Sequence, residues 1–171
     1  PMIAAKLFSE KVSSYKNLTS ITIDLYGSLA LTGKGHGTDK AISLGLMGFS
    51  PESLSANIID LKIKEINNSG LISICNSKSI KFDFSKNIIY NRIFDKYKYS
   101  NTMVFKAYNK SDILYENIFY SIGGGFIIDE KEQKSNNNSL NKVPFNFKSG
   151  NELLNLCNNN TLNIYDIVRK N

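Results

Sequence analysis

The chain of 171 residues has no tryptophan, one histidine, two cysteines and three prolines. No apolar run approaches the roughly 20 residues that a membrane-spanning helix needs, so the sequence predicts no membrane segment. The first ten residues lack the long apolar core of a signal peptide. Because the chain begins at Pro1 instead of methionine, we expect a fragment of a longer protein.

The two cysteines, Cys75 and Cys157, lie far apart in the sequence and form no metal-ligand pattern. An iron–sulfur cluster usually takes three or four thiolates, so we do not expect this chain to hold one by itself. The pair favours two reduced, packed thiols in a cytoplasmic protein, with a disulfide as the alternative.

The net charge is +6 at neutral pH, but the lysines are spread along the chain and mixed with acidic residues. A nucleic-acid footprint needs clustered charge, and no arginine-rich segment or aromatic binding signature accompanies the lysines. The charge therefore predicts a solvated surface and no nucleic-acid partner.

Hydrophobic periodicity predicts the elements of the fold. Helices are predicted over 2–15, 38–47, 51–57, 151–157 and 163–170, and strands over 21–26, 71–75, 79–84, 102–108, 113–122 and 126–129. Residues 28–31 fit a short helix or a turn, 60–67 fit a helix or a strand, and 134–142 are the best candidate for disorder. Since the strands cluster instead of alternating with helices, we expect one α+β domain over 1–171, with a mixed or antiparallel sheet flanked by helices.

The only histidine, His36, lies in a glycine-rich loop between a predicted strand and a predicted helix that Thr38 would cap. The loop is no phosphate-binding P-loop, because five residues separate Gly27 from Gly33 and Gly35 stands where Ser or Thr should hold Mg²⁺. The spacing of a dinucleotide site is also missing. Free amides and the dipole of the helix favour a carboxylate here and disfavour imidazolium, so we expect the neutral His36 that a general base requires. The alternative is a histidine that only packs or caps the turn.

A second unusual element is the run Gly123, Gly124 and Gly125. Such a run is typical of a bulge or tight bend between two strands. The alternative interpretation is a close approach of the backbone to a ligand or a partner domain.

The stretch LYGSLALTGKGHGTDKA at 25–41 resembles the signature of the β domain of iron–sulfur-dependent L-serine dehydratases. The similarity continues in LGLMG at 44–48, YSIGGGFI at 120–127 and VPFNF at 143–147, and then in Leu153, Leu154 and Cys157. Two departures stand out. The family's Ser-Ser-His-Thr-x-Gly-Pro-Met motif survives only as Pro1 and Met2, and its His-Pro-Asn-x-Met element appears as YSNTM at 99–103, where Tyr99 replaces the histidine.

The resemblance implies deamination of L-serine to pyruvate and ammonia. It implies a four-iron, four-sulfur cluster held by cysteines of a separate α domain or subunit, where one iron acts as a Lewis acid on the departing hydroxyl. It also implies a fold like the allosteric substrate-binding domain of phosphoglycerate dehydrogenases, a homodimer of the whole enzyme and no activity of this part alone.

Carried onto this chain, the resemblance assigns His36 as the general base or a close substrate contact. Lys34, with the amides of Gly35 and Gly37, would neutralise the carboxylate of serine. Thr38 would lie in the substrate-binding loop and, together with Asp39, hold it by capping the helix. The remaining loop positions would be structural: Gly33, Gly123, Gly124 and Gly125. The competing hypothesis is a regulatory domain that binds serine away from the chemistry and forms dimers.

Overall fold

The computed structural model describes residues 1–93, 96–135 and 143–171, which belong to two compact units, Pro1–Ser135 and Asn136–Asn171. The first unit contains α1 (Met2–Val12), β1 (Ser20–Leu25), α2 (Ser28–Leu31), α3 (Thr38–Leu46), a 3₁₀ turn (Pro51–Ser53), α4 (Ala56–Ser69), β2 (Leu71–Ile74), β3 (Lys78–Lys81), α5 (Phe84–Asn87), β4 (Ile88–Tyr90), β5 (Thr102–Asn109), β6 (Asp112–Gly123), β7 (Phe126–Asp129) and α6 (Glu130–Ser135). The second unit contains α7 (Gly150–Asn160) and α8 (Ile164–Lys170).

The main sheet has five strands in the order β4-β1-β5-β6-β7. Strands β1 and β4 run parallel, while the other neighbours are antiparallel. Strands β2 and β3 form a separate antiparallel hairpin. The predicted α+β class with a mixed sheet is therefore confirmed.

One face of the sheet carries the core of the first unit. The alternation in β1 puts Ile21, Ile23 and Leu25 on this face, where they are fully buried. Helices α1 and α3 pack against each other, and α1 also packs against β5, β6 and β7. Phe8 of α1 meets Phe105 of β5 with 5.2 Å between ring centroids. Burying one such side chain contributes on the order of 2 kcal/mol.

The opposite face of the sheet carries a row of charged side chains. Lys106 of β5 lies 3.9 Å from the carboxylate of Asp24 and 3.6 Å from that of Glu116, so the three side chains form a chain of ion pairs across β1, β5 and β6. Because these side chains remain partly exposed, each pair stabilises the fold by no more than about 1 kcal/mol.

Several predicted elements need correction. The helix expected over 51–57 is a 3₁₀ turn followed by two extended residues, and α4 begins only at Ala56. The ambiguous stretch 60–67 lies inside this helix. The strand expected over 79–84 ends at Lys81, because Asp83 caps α5 by accepting a hydrogen bond from the backbone N–H of Ser85 (2.8 Å). Strand β4 was not predicted. Of the predicted disordered stretch, 136–142 lies outside the described residues, and 134–135 end α6.

Both cysteines are free thiols. Cys75 follows β2 with a positive φ of 45° and places its Sγ 2.9 Å from the buried hydroxyl of Ser9 in α1. Within the second unit, Cys157 is buried and Asn171 exchanges two hydrogen bonds with the backbone of Phe145. Across the described ranges, no helix has both the length and the apolar character to span a membrane.

Candidate functional site

The predicted site loop lies at one edge of the main sheet. Here β1 ends at Leu25 and β4 at Tyr90, β5 begins at Thr102, and β6 ends at Gly123. We call this side of the sheet the loop edge. It gathers α2, the adjoining loop 33–37 and the start of α3 with two segments that are distant in sequence, 96–101 and the triple-glycine turn.

His36 is exposed in the loop between α2 and α3. Its ring atom Nδ1 lies 2.9 Å from the carbonyl oxygen of Thr32, which also accepts the backbone N–H of His36 at 3.2 Å. A carbonyl oxygen only accepts hydrogen bonds, so this contact assigns the proton to Nδ1. In the neutral imidazole, Nε2 is then the unprotonated nitrogen. It has no hydrogen-bond partner among the described residues, so His36 offers an accessible proton acceptor.

The residues expected to bind a carboxylate lie in the same loop. Lys34 is exposed and forms no ion pair within the described part of the chain. The amide of Gly37 already makes a long contact with the carbonyl of Lys34 (3.4 Å), whereas the amide of Gly35 makes no backbone hydrogen bond in the described ranges. The Lys34 side chain and the Gly35 amide are therefore available to bind an anion.

Thr38 does not cap α3, contrary to the prediction. Gly37 is the N-cap, in a left-handed conformation with φ 69°, and no side chain caps this end. The positive φ of Gly37 turns the chain so that Thr38 already has helical geometry and is buried. Its N–H donates to the carbonyl of Gly33 (2.8 Å), and this backbone bond closes the loop. Asp39 lies in the first turn and accepts the N–H of Lys40 (2.8 Å), so it does not cap the helix either.

The segment 96–101 lies directly against Gly27, the residue before α2. A Cβ on Gly27 would lie 2.0 Å from the carbonyl oxygen of Ser100, so only glycine allows this approach. Next to it, the side-chain oxygen of Asn101 accepts two hydrogen bonds from Ser28, at 2.9 Å from the backbone nitrogen and 2.7 Å from the hydroxyl. Asn101 therefore ties the divergent YSNTM element to the first residue of α2.

Aromatic rings and lysines line a cavity of about 130 Å³ beside Gly27. The ammonium group of Lys96 lies 5.5 Å from the ring centroid of Tyr26 and 5.4 Å from that of Tyr97. Burial, a hydrogen bond with Tyr26 and the charge of Asp24 raise the pKa of Tyr97, in that order of size. Tyr99 of the YSNTM element packs against Tyr120, with 4.8 Å between the ring centroids and a tilt of 45° between the ring planes.

The triple glycine forms the turn of the β6–β7 hairpin at the loop edge. Gly123, Gly124 and Gly125 all have positive φ, and the strand register shifts between Ser121 and Gly123. The predicted bend is therefore present. The side chain of Phe126, which follows it, is 70% exposed and that of Ile122 is 51% exposed. Together they leave an apolar surface at this edge.

The sequence does not point to three further residues near the site. The Thr32 carbonyl gives no signal in the sequence, and Lys96 is predicted only as surface charge. Asn101 could have been found, since it survives in the otherwise altered YSNTM element. Among the described residues, no group of three or more His, Cys, Asp or Glu side chains could hold a metal ion.

A larger cavity of about 930 Å³ opens near the other end of β1, between the end of α4 and α5. Its main polar groups already bond to one another or to the backbone. Asp83 accepts from Ser85, and Asn87 donates to the carbonyl of Ile21. The His36 loop is therefore the better candidate site.

The chain is an α+β domain with a mixed sheet, and it carries an exposed imidazole in a glycine-rich loop at one edge of that sheet. A family model described as serine dehydratase beta chain matches residues 1–132, so the chain belongs to that family. Similar curated proteins include an L-serine dehydratase of Haemophilus influenzae, 35% identical over 176 residues, and the L-serine dehydratase TdcG of Escherichia coli, 37% identical over 175 residues. Each alignment covers 100% of this chain but only 38% of the relative. The chain thus spans little more than a third of these relatives.

Proposed function

We propose that this chain forms the β part of an enzyme that deaminates L-serine to pyruvate and ammonia. In this proposal His36 accepts the proton from Cα of serine at Nε2. The single observation that carries the proposal is the Nδ1 contact with the Thr32 carbonyl, which leaves Nε2 unprotonated and exposed. The matches to L-serine dehydratases over the whole of this chain support the substrate class.

The other residues of the loop bind and orient the substrate. Lys34 and the amide of Gly35 hold the carboxylate of serine, and Lys96 adds a second positive charge at the same edge. A cation beside the carboxylate makes it easier to remove the proton from the neighbouring Cα, because the positive charge stabilises the negative charge that develops on this carbon. The bond between the Thr38 N–H and the Gly33 carbonyl closes the loop, and the left-handed backbone of Gly37 makes the turn.

The iron–sulfur cluster that the resemblance implies does not fit the described residues, because no three suitable ligands lie together. In our proposal the cluster and the rest of the site come from an α domain or subunit outside this chain. The loop edge, with its exposed Phe126 and Ile122, is the face where that part would pack.

The test is anaerobic turnover of L-serine by the full-length enzyme with its cluster reconstituted. Replacing His36 with alanine should lower kcat by about 10²-fold or more while the cluster absorbance stays unchanged. Lys34→Ala should raise KM, whereas the matched control Lys40→Ala removes the same charge from the first turn of α3 and should leave KM unchanged. Unchanged kcat in His36→Ala would refute the assignment of the base.

The regulatory alternative predicts a different pattern. If the loop binds serine as an effector, His36→Ala keeps the maximal rate and turns a sigmoidal rate curve into a hyperbolic one. Absence of serine turnover by the wild-type enzyme would instead refute the proposed activity.

A further inference from the structure

The cavity of about 130 Å³ beside Gly27 carries two positive charges. Its lining includes Lys96 and Lys98, and none of its described lining residues is Asp or Glu. Neither lysine forms an ion pair within the described part of the chain. A concave surface that carries charge of one sign concentrates counter-ions. The cavity therefore favours an anion.

Two tyrosine rings hold the ammonium group of Lys96. Its Nζ lies 5.5 Å from the ring centroid of Tyr26 and 5.4 Å from that of Tyr97, within the range in which a ring face attracts a cation. The two rings are 4.9 Å apart with 68° between their planes, and Tyr26 is buried, so this wall of the cavity is well anchored. A ring face attracts the ammonium group but does not replace hydrogen bonds to oxygen, so the N–H donors of Lys96 remain available to a ligand.

The size and the lining of the cavity define the class of ligand. A water molecule takes up about 30 Å³ in the liquid, so the cavity holds roughly four waters or a ligand of a few heavy atoms. Ile93 and the tyrosine rings offer contacts to a short carbon chain, and the two lysines can donate charge-assisted hydrogen bonds to a carboxylate. A free amino acid fits less well, because its ammonium group would meet two positive charges and no carboxylate in the described lining. The nearby Asp24 is already engaged by Lys106 at 3.9 Å.

We propose that this cavity, which we call the Lys96 pocket, binds a small carboxylate without an amino group at a site separate from the His36 loop. No residue of the loop 33–37 belongs to its described lining. The pyruvate formed in the proposed reaction has the required chemistry, with one carboxylate, a short carbon chain and no ammonium group. Only the identity of pyruvate as the natural ligand rests on the proposed function; the carboxylate site itself does not.

Lysine footprinting of the full-length enzyme tests the pocket. The enzyme is treated with an amine-acylating reagent at constant ionic strength, and peptide mass spectrometry measures how fast each lysine is labelled. Pyruvate at about 10 mM, roughly ten times the millimolar Kd expected for so small a ligand, should slow the acylation of Lys96 and Lys98 about fivefold or more. The exposed Lys110 lies outside the pocket, so its labelling should not change. Pyruvamide, which matches pyruvate in size but carries no charge, should protect neither pocket lysine.

Four results would overturn the proposal. Unprotected pocket lysines in the presence of pyruvate would show that the pocket binds no small carboxylate. Equal protection by pyruvamide would show that the carboxylate is not recognised. Equal protection by L-serine would show that the pocket does not select against an ammonium group. Equal slowing at Lys110 would show that pyruvate acts on surface charge in general.

Two variants separate the Lys96 pocket from the His36 loop. Lys96→Ala should weaken the protection of Lys98 by pyruvate about tenfold or more, because a charged hydrogen-bond donor is lost, whereas Lys96→Arg keeps the charge and should retain most of it. Lys34→Ala removes the cation of the His36 loop and should leave the protection of Lys96 unchanged. Loss of protection in Lys34→Ala would assign pyruvate to the loop and contradict a separate site. If the wild-type enzyme turns over no serine, the proposed function fails while the footprint still judges the Lys96 pocket.

Discussion

Asn101 offers the sharpest test of how the loop edge is held together. Replacing it with alanine removes an oxygen that accepts two hydrogen bonds from Ser28. Each neutral hydrogen bond is worth about 1 kcal/mol. Because Ser28 is exposed, water replaces part of what is lost. We therefore expect Asn101→Ala to cost about 1 kcal/mol, which corresponds to roughly 2–4 °C in melting temperature for a protein of this size.

The matched variant is Asn101→Asp. It keeps an acceptor oxygen in the same place and replaces the amide NH₂, which has no hydrogen-bond partner in the described part of the chain, with a second carboxylate oxygen whose negative charge is exposed to solvent beside the N-terminus of α2. Thermal unfolding of Asn101→Asp should therefore stay within about 0.5 kcal/mol of the wild type. An alanine variant as stable as wild type would show that the bonds to Ser28 contribute nothing. An aspartate variant as unstable as alanine would show that the acceptor oxygen is not what matters.

Two further predictions concern stability. Gly27→Ala should destabilise the protein by about 3 kcal/mol or more in urea unfolding, because the new Cβ would lie 2.0 Å from the Ser100 carbonyl oxygen. The control is Gly70→Ala, which has the same φ of 64° but open space around it and should cost only about 1–2 kcal/mol. Equal losses of stability in the two variants would contradict the proposed clash. Burial and the hydrogen bond to Glu130 raise the pKa of Tyr120 to about 12. The contribution of Tyr120 to the stability of the fold is therefore complete below about pH 10 and is lost as the pH rises to about 12. An alkaline melting series should therefore fall more steeply over this range for the wild type than for Tyr120→Phe, and parallel curves would contradict this reasoning.

Local pattern predicted the larger elements, because the alternation of β1 and the helical spacing of α1 are properties of the nearby sequence. Strand β4 escaped prediction because it is three residues long and its parallel partner, β1, lies more than 60 residues earlier in the chain. In α4, the alternation of Leu61 and Ile63 with lysines imitates a strand, and only Ile66 of this helix becomes buried. Tertiary packing decided both cases.

In the candidate site, too, some features follow from the local sequence and others depend on tertiary packing. Its position followed from composition, since the only histidine lies among glycines after a strand. Its detailed geometry depends on backbone atoms and distant residues. The carbonyl of Thr32 assigns the tautomer of His36, and Gly37 instead of Thr38 begins α3. The side chain of Asn101 reaches Ser28 across 73 residues of sequence. None of these contacts leaves a trace in hydrophobic periodicity or local spacing.

The composition of the loop itself bears on whether it acts in catalysis or in regulation. Free serine carries an ammonium group as well as a carboxylate, so a self-contained serine site needs an acidic partner. Residues 33–38 include no Asp or Glu, and the nearby Asp39 is half-buried and engaged with Lys40. Residues 33–38 thus offer a proton acceptor and positive charge but no carboxylate for the ammonium group. This asymmetry favours a site shared with another domain over an independent effector site, since the missing partner for the ammonium group must come from outside the loop.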